Sequence, residues 1–293
     1  MNISVDTKLL GLFGNPLSFT LSPMMHNSAF EMLNLNYLYI PFEVKPENFE
    51  DVIKSIKYLN FIGGNVTSPF KTAIIKYLDE IDDKARLIGA VNVIKFENNK
   101  LKGFNTDGDG FVRSLKQEKK VDPKNKNILI LGCGGAARAV AITLAMCEPG
   151  NIYIANRTFN KAVDLVIDIN NIRHCAIPIK LESNELKKIN NNVDILINTT
   201  KVGMYPDINA VPVDEDVIHK KMIVCDIVYN PIHTKLLQIA RSKGCEILTG
   251  VGMMVNQGVE SFKIWTGIEP PVEKLYDIVN KELIKRQKNY ESL

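Results

Sequence analysis

The apolar run NILIL at 127–131 passes without a spacer into Gly132-Cys133-Gly134-Gly135-Ala136-Ala137-Arg138-Ala139, where helical patterning begins. A strand that ends in glycines and turns directly into a helix leaves a chain few architectures. The glycines fit G-x-G-x-x-A, in which the first permits a tight reversal and the second a close backbone approach, while the helix start offers free N–H groups and positive dipole to a pyrophosphate. Glycine turns also occur for packing alone, but placement between strand and helix points to a dinucleotide. Downstream, NIYIAN, FNKAVDLVIDI, VDILINTT, MIVCDIV and HTKLLQIARSKG read as strand, helix, strand, strand and helix. This rhythm predicts an α/β fold with a Rossmann-type, doubly wound, mostly parallel sheet.

The first third of the chain repeats the rhythm with different residues. LLGLFG, YLYIPFEV and FIGGNV read as strands, with helices from about Pro23 and Pro46 between them. In the first helix Met25, Ala29, Met32 and Leu33 fall on one apolar stripe. AVNVIKF and LKGFN flank Glu97-Asn98-Asn99-Lys100, a hairpin turn. The lysine-rich KQEKKVDPKNKN reads as a surface linker between two units. After the last strand, VNQGVESFKIWTG and the helical stripe Leu275, Ile278, Val279 and Leu283 are expected to pack back on the first unit. The expected domains are 1–106 with 255–293 for substrate, on a mostly parallel sheet, and 107–254 for the dinucleotide, a division that suits 293 residues.

Charge and cysteine usage narrow the function. The 36 basic and 33 acidic residues are scattered, without the dense basic stripe that a nucleic-acid backbone requires, so no nucleic-acid partner is expected. Cys133, Cys147, Cys175, Cys225 and Cys245 form no CxxC pair and have no ligand spacing, which argues for reduced thiols and no metal. The opening MNISVDTK lacks the head and apolar run of a secretion signal, and no stretch reaches membrane-spanning length. A cytoplasmic protein acting on a small molecule, with a homodimer permitted, is the expectation.

Asn156-Arg157-Thr158 ends the strand after the glycine loop, where binders of NAD usually carry an acid for the ribose hydroxyls. Arginine cannot accept those bonds but can hold a 2′-phosphate, so NADP is favoured; the blander reading of Arg157 is a solvated surface residue. Cys133, at a helix start, has a reading as an activated thiol, with a small filler of a cramped turn preferred. Three polar clusters each follow a strand: Asn15 to Pro23, Asn65 to Lys71, and Phe104 to Asp107. Ligands of open α/β sheets bind at such strand ends, although each cluster alone suits turns and helix caps. Among the histidines, His233 reads as a helix start and His26, His174 and His219 as packing or surface positions.

GNPLSFTLSPMMHN, GGNVTSPFK, GAVNVI, GFNTDGDGF, GCGGAARA, NRT, VYNP and TGVGMMVNQG, in this order over essentially the whole chain, resemble the signatures of the shikimate dehydrogenase family, also called shikimate 5-dehydrogenase. The resemblance implies two α/β domains separated by a cleft and NADPH-dependent, reversible reduction of 3-dehydroshikimate to shikimate in aromatic amino-acid biosynthesis. It implies Lys71 and Asp107 as the catalytic pair, and Thr20, Ser22, Asn65, Thr67, Asn92, Tyr229 and Gln257 as substrate contacts. Cofactor contacts would be Gly132, Gly134, Gly135, Ala136, Asn156, Arg157 and Thr158, with Gly250 and Met253 near the nicotinamide. Such roles are chemically consistent: a ketone receiving hydride develops negative charge on oxygen, which a lysine stabilises and protonates, while short hydroxyl and amide side chains suit a polyol.

Two positions depart from the family pattern. Thr20 replaces the commoner first serine of an S-x-S pair, adding a methyl group to the implied carboxylate pocket, and Lys201 stands where a small or neutral residue is usual, as a solvated loop lysine. The alternative enzyme is a quinate/shikimate dehydrogenase using NAD or NADP, against which Arg157 speaks. From another class, a non-catalytic nicotinamide-binding sensor or scaffold subunit remains, against which the retention of Lys71 and Asp107 speaks.

Overall fold

The computed structural model describes residues 3–291. The outermost residues of the expected domains, 1–2 and 292–293, lie outside the described residues. In chain order the elements are β1 (Lys8–Gly14), α1 (Ser22–Met32), β2 (Tyr37–Glu43), α2 (Phe49–Ser55), β3 (Phe61–Val66), β4 (Glu80–Ile81), α3 (Asp83–Ile88), β5 (Val93–Glu97), β6 (Lys100–Phe104) and α4 (Asp107–Lys119). There follow β7 (Ile128–Leu131), α5 (Gly135–Ala145), β8 (Ile152–Asn156), α6 (Phe159–Ile172), β9 (Ala176–Lys180), α7 (Ser183–Ile189), β10 (Ile195–Asn198), β11 (Ile223–Asp226), α8 (Lys235–Ser242), β12 (Glu246–Leu248), α9 (Gly250–Thr266) and α10 (Val272–Glu291).

Contacts divide the chain into two units. The first ends at Thr106 and resumes over Gln257–Val279; the second is Asp107–Asn256 and the chain from Asn280. Both later divisions fall inside helices, α9 and α10. The sequence expectation had instead kept all of 255–293 with the first unit. A helix of twenty residues is about 30 Å long, so its ends need not share one core.

The first unit holds a six-stranded sheet in the order β2-β1-β3-β5-β6-β4. The β1–β2, β1–β3 and β4–β6 pairings are parallel, while β5 is antiparallel to both β3 and β6. The sheet is therefore mixed, because β5 and β6 are joined by a hairpin rather than a crossover. At its turn Asn98 and Asn99 adopt φ of 52° and 60°, the left-handed backbone that asparagine tolerates and a tight hairpin requires. Phe13, Phe49, Phe61, Phe70, Ile74 and Ile94 fill the core on one face. In α1 the buried side chains are Met25, His26, Ala29 and Phe30, whereas Met32 and Leu33 of the expected stripe are only half-buried.

The second unit has six strands, all parallel, in the order β12-β11-β10-β7-β8-β9. From β7 the chain adds strands outward through β9, then returns to the other side of β7 with β10. The order thus reverses between β7 and β10, the place where open α/β sheets bind ligands outside the carboxyl ends of their strands. Leu129, Leu131, Leu196, Val224 and Leu237 lie within its core. Thr234 caps α8, its side chain accepting from the Leu237 N–H.

Residues 116–127 do not link the units. Lys116–Lys119 complete α4, and the following loop belongs to the second unit. The glycines of Asp107-Gly108-Asp109-Gly110 concealed this helix, whose buried face is Phe111, Ser114 and Leu115. Gly108 allows α4 to approach α5 closely: a Cβ there would lie 2.0 Å from Thr143 Oγ1 and 2.4 Å from the Ala139 carbonyl oxygen. Among the described residues no helix is long and apolar enough to cross a membrane. Gly108→Ala is expected to force these helices apart and cost about 3 kcal/mol, read as a lowered denaturation midpoint.

Candidate active site

The carboxyl edge of the first sheet collects the polar clusters. Thr20 and Ser22 follow β1, Asn65 lies near the end of β3 with Thr67 and Lys71 beyond it, and Thr106 follows β6. Asn92 precedes its strand, yet reaches the same edge because β5 runs antiparallel, pairing Val93 with Asn65. Lys71, half-buried, sits in a turn whose carbonyl accepts from the Val91 N–H at 2.8 Å. Ser22 opens α1, but no side chain caps that helix; Thr20 Oγ1 accepts from the Ser22 N–H at 3.3 Å.

A network of buried amides and hydroxyls connects several of these residues. Tyr39 Oη donates to Asn65 Oδ1 at 2.7 Å. Asn65 Nδ2 donates to the Asn92 carbonyl at 3.0 Å and to Ser261 Oγ at 3.1 Å. Asn92 Oδ1 accepts from the Thr106 N–H at 2.8 Å, and its Nδ2 donates to Thr106 Oγ1 at 3.0 Å and to Gln257 Oε1 at 3.5 Å. Ser261 Oγ and Thr106 Oγ1 both bond the Gln257 carbonyl. Asn65, Asn92 and Gln257 are thereby brought together. Thr106, which joins them, belongs to the third polar cluster expected from the sequence, whereas Tyr39 and Ser261 were not singled out; Tyr39 lies mid-strand and Ser261 mid-helix, where residue type alone carries no signal.

Asp107 is the first residue of α4, one peptide bond after Thr106, and is buried. A carboxylate there complements the positive end of the helix. Contacts group it, like Tyr229, with the second unit. Burial raises the Tyr229 phenol, against the opposing pull of the Arg286 cation.

In the second unit the glycine loop forms as expected. Gly132 follows β7 with φ of 110°, and a Cβ on it would meet Thr199 Oγ1 at 2.8 Å. Gly134 and Gly135 have open space where a Cβ would project, and no side chain caps α5. The exposed helix start, with Ala136 half-buried behind it, leaves room and donors for a pyrophosphate. Asn156 ends β8, its Nδ2 donating to the Thr158 carbonyl at 2.9 Å, and Arg157 is exposed beside it. Lys161 is a second exposed cation, four residues on, whose charge reaches Cys133 in the loop. Burial nevertheless pushes the Cys133 thiol up to about 11, which excludes an activated thiolate near neutral pH. Gly250 follows β12, packed on the Ile227 carbonyl, and Met253 is buried one turn later. Lys201 is exposed.

Asp226, at the end of β11, was missed. Its carboxylate accepts from Asn198 Nδ2 at 3.0 Å, Thr234 Oγ1 at 2.7 Å and the Val228 N–H at 3.0 Å. Asn198 Oδ1 in turn accepts from the Thr200 N–H and hydroxyl. The loops after β10 and β11 are thus tied to one carboxylate with neutral donors around it.

Family models match the chain in succession: the shikimate dehydrogenase substrate binding domain over residues 12–94, shikimate / quinate 5-dehydrogenase over 114–239, and the shikimate 5′-dehydrogenase C-terminal domain over 250–279. The chain belongs to the shikimate dehydrogenase family. It is 44% identical to the shikimate dehydrogenase (NADP(+)) of Methanocaldococcus jannaschii, over 97% of this chain and 100% of that one. A crystal structure of shikimate dehydrogenase in complex with NADP+ superposes with a TM-score of 0.89 at 43% identity, covering 96% of this chain and 98% of its own. The shikimate 5-dehydrogenase of Listeria monocytogenes, solved with shikimate and NAD, gives 0.90 at 38% identity, covering 95% and 98%. These likenesses extend over both units and agree with the α/β class and the Rossmann-type second sheet expected from the sequence.

Asp226 gives the site a measurable pH signature. Burial lifts its carboxyl from 3.8 to about 6, so between those values the folded chain holds a proton that the unfolded chain has lost. The stability it contributes is fully present below 3.8 and is lost as pH rises through about 6, with a slope of about 1.4 kcal/mol per pH unit. Asp226→Asn removes the titration. The stability advantage of wild type over variant should shrink from about pH 4 to about pH 6 and level off above, as followed by thermal melting.

Proposed function

We propose that this chain catalyses the NADPH-dependent, reversible reduction of 3-dehydroshikimate to shikimate. The observation that carries the reading is the buried network around Asn65 and Asn92, at the same strand edge as Lys71, in the segment matched by the family's substrate-binding model. An array of short amides and hydroxyls suits a ring carrying several hydroxyl groups, and the ends of β1 and β3 supply Thr20, Ser22 and Thr67 for further polar contacts. Tyr229 and Gln257 complete the proposed substrate set.

NADPH, when bound, supplies the hydride to the ketone carbon. Lys71 then stabilises the developing alkoxide and gives its Nζ proton to it, regaining a proton from solvent. Asp107 orients the lysine and accepts a hydrogen bond from a ring hydroxyl. Gly132, Gly134, Gly135 and Ala136 receive the pyrophosphate, Asn156, Arg157 and Thr158 the adenosine ribose, and Gly250 and Met253 the nicotinamide end. The openness of Gly134 and Gly135 supports this fit. The domain assignment that goes with the reading is 1–106 with 255–293 for substrate and 107–254 for cofactor. A cytoplasmic enzyme and a homodimer complete the proposal, the latter to be read by sedimentation.

Absorbance assays crossing shikimate and quinate with NADP and NAD test the reading directly. Activity greatest with shikimate and NADP is expected; greater activity with quinate and NAD would replace it with the quinate reading, and no turnover with any pair despite cofactor binding with the sensor reading.

Lys71→Ala should lower kcat at least ~10²-fold with a much smaller change in the shikimate KM, since its interaction is made mainly in the transition state. Near-normal turnover in a folded variant would overturn the assignment.

Arg157→Ala should raise the KM for NADP at least ~10-fold while leaving that for NAD nearly unchanged, because a charge-assisted contact to the 2′-phosphate exists with NADP alone. Equal losses for both cofactors would remove Arg157 from phosphate recognition.

A further inference from the structure

The phenol of Tyr39 is buried, 1% exposed, in the middle of β2. Its ring stacks on His26, with centroids 4.7 Å apart, and lies 6.0 Å from that of Trp265. Packing on these rings would be served equally by phenylalanine, so the hydroxyl needs another explanation. It donates to Asn65 Oδ1 at 2.7 Å.

Proton counting fixes the direction of each bond. Both protons of Asn65 Nδ2 are committed, to the Asn92 carbonyl and to Ser261 Oγ. Rotating the amide by 180° would set Oδ1 against the Asn92 carbonyl, an acceptor facing an acceptor. Asn65 Oδ1 therefore takes the single Tyr39 proton. What remains on Asn65 is one lone pair of Oδ1.

We propose that Tyr39 is a positioning residue for substrate binding, holding the Asn65 amide so that it meets a substrate hydroxyl as an acceptor only. The proposal rests on the reading of Asn65 as a substrate contact. An acceptor there discriminates in favour of a ring carbon bearing a hydroxyl, because a group that cannot donate would leave a buried carbonyl oxygen facing an unsatisfied partner.

Tyr39→Phe keeps the ring and removes the hydroxyl. The KM for shikimate should rise about 10-fold, the scale of one buried hydrogen bond, with kcat and the KM for NADP within about twofold of wild type. A structural role alone would lower the melting temperature without this selective effect. Asn65→Ala and the double variant complete a cycle, in which the double variant should raise KM by less than the product of the two single effects. A normal KM in Tyr39→Phe, when Asn65→Ala raises it, overturns the positioning role alone. An unchanged KM in Asn65→Ala overturns the substrate reading of Asn65, and this proposal with it. Effects of the two single substitutions that multiply fully would show that Tyr39 acts elsewhere.

Discussion

Buried amides cannot be left unpaired, and that constraint organises the first unit. Asn65 and Asn92 lie 6% and 2% exposed at the edge of the sheet, where an orphaned polar group would cost about 1–3 kcal/mol. Their partners come from β2, β6 and α9, elements distant in sequence. The hydrogen bonds from Asn65 to Ser261 and from Thr106 to Gln257 span most of the chain, so the C-terminal helical segment is needed to satisfy polar groups on the N-terminal strands. The same requirement leaves the amide and hydroxyl side chains held in place before any ligand arrives, which limits the ordering entropy a ligand must overcome.

The second unit meets a different constraint. Six parallel strands present all their carboxyl ends on one edge, and the reversal between β7 and β10 parts the flanking connections there. Gly132, Thr199, Tyr229 and Gly250 follow four different strands and reach this edge through topology alone. The loops after β10 and β11 would be free to wander, but Asp226 binds both through Asn198, Thr234 and Val228. Its cost is the burial of a carboxyl group, which raises its proton affinity against the opposing pull of those hydrogen bonds.

The sequence was most legible where local chemistry specifies geometry. Gly132 to Ala139, the Asn98-Asn99 turn and the polar residues after β1, β3 and β6 each carry their signal within a few residues. It was least legible where tertiary packing overrides local preference. β9 contains Pro178, a poor strand former tolerated because β9 lies at the edge of its sheet. α4 has glycines in its first turn, of which Gly108 is needed for the approach to α5, and so resembles a loop. β12 is three residues long, too short for periodicity to register. Within the site, Asn65 and Asn92 stand in recognisable motifs, whereas Tyr39 and Ser261 acquire their importance only from partners far along the chain.

Burial also decides which groups are available for proton transfer. His26 is stacked on Tyr39, but burial depresses its ring to about 3. At neutral pH it is therefore uncharged and cannot act as the acid. Its Nε2 has no hydrogen-bond partner among the described residues, consistent with a ring retained for packing. Tyr39 is displaced in the other direction, its phenol raised by burial, and keeps its proton for Asn65. Of the remaining histidines, His219 bonds the Asn190 carbonyl, and His174 and His233 are exposed. Lys71, the acid proposed for the reaction, differs in standing half-buried on the loop after β3. A lysine in that position supplies both the positive charge and the proton that an alkoxide requires, which histidine can do only when it enters the reaction protonated.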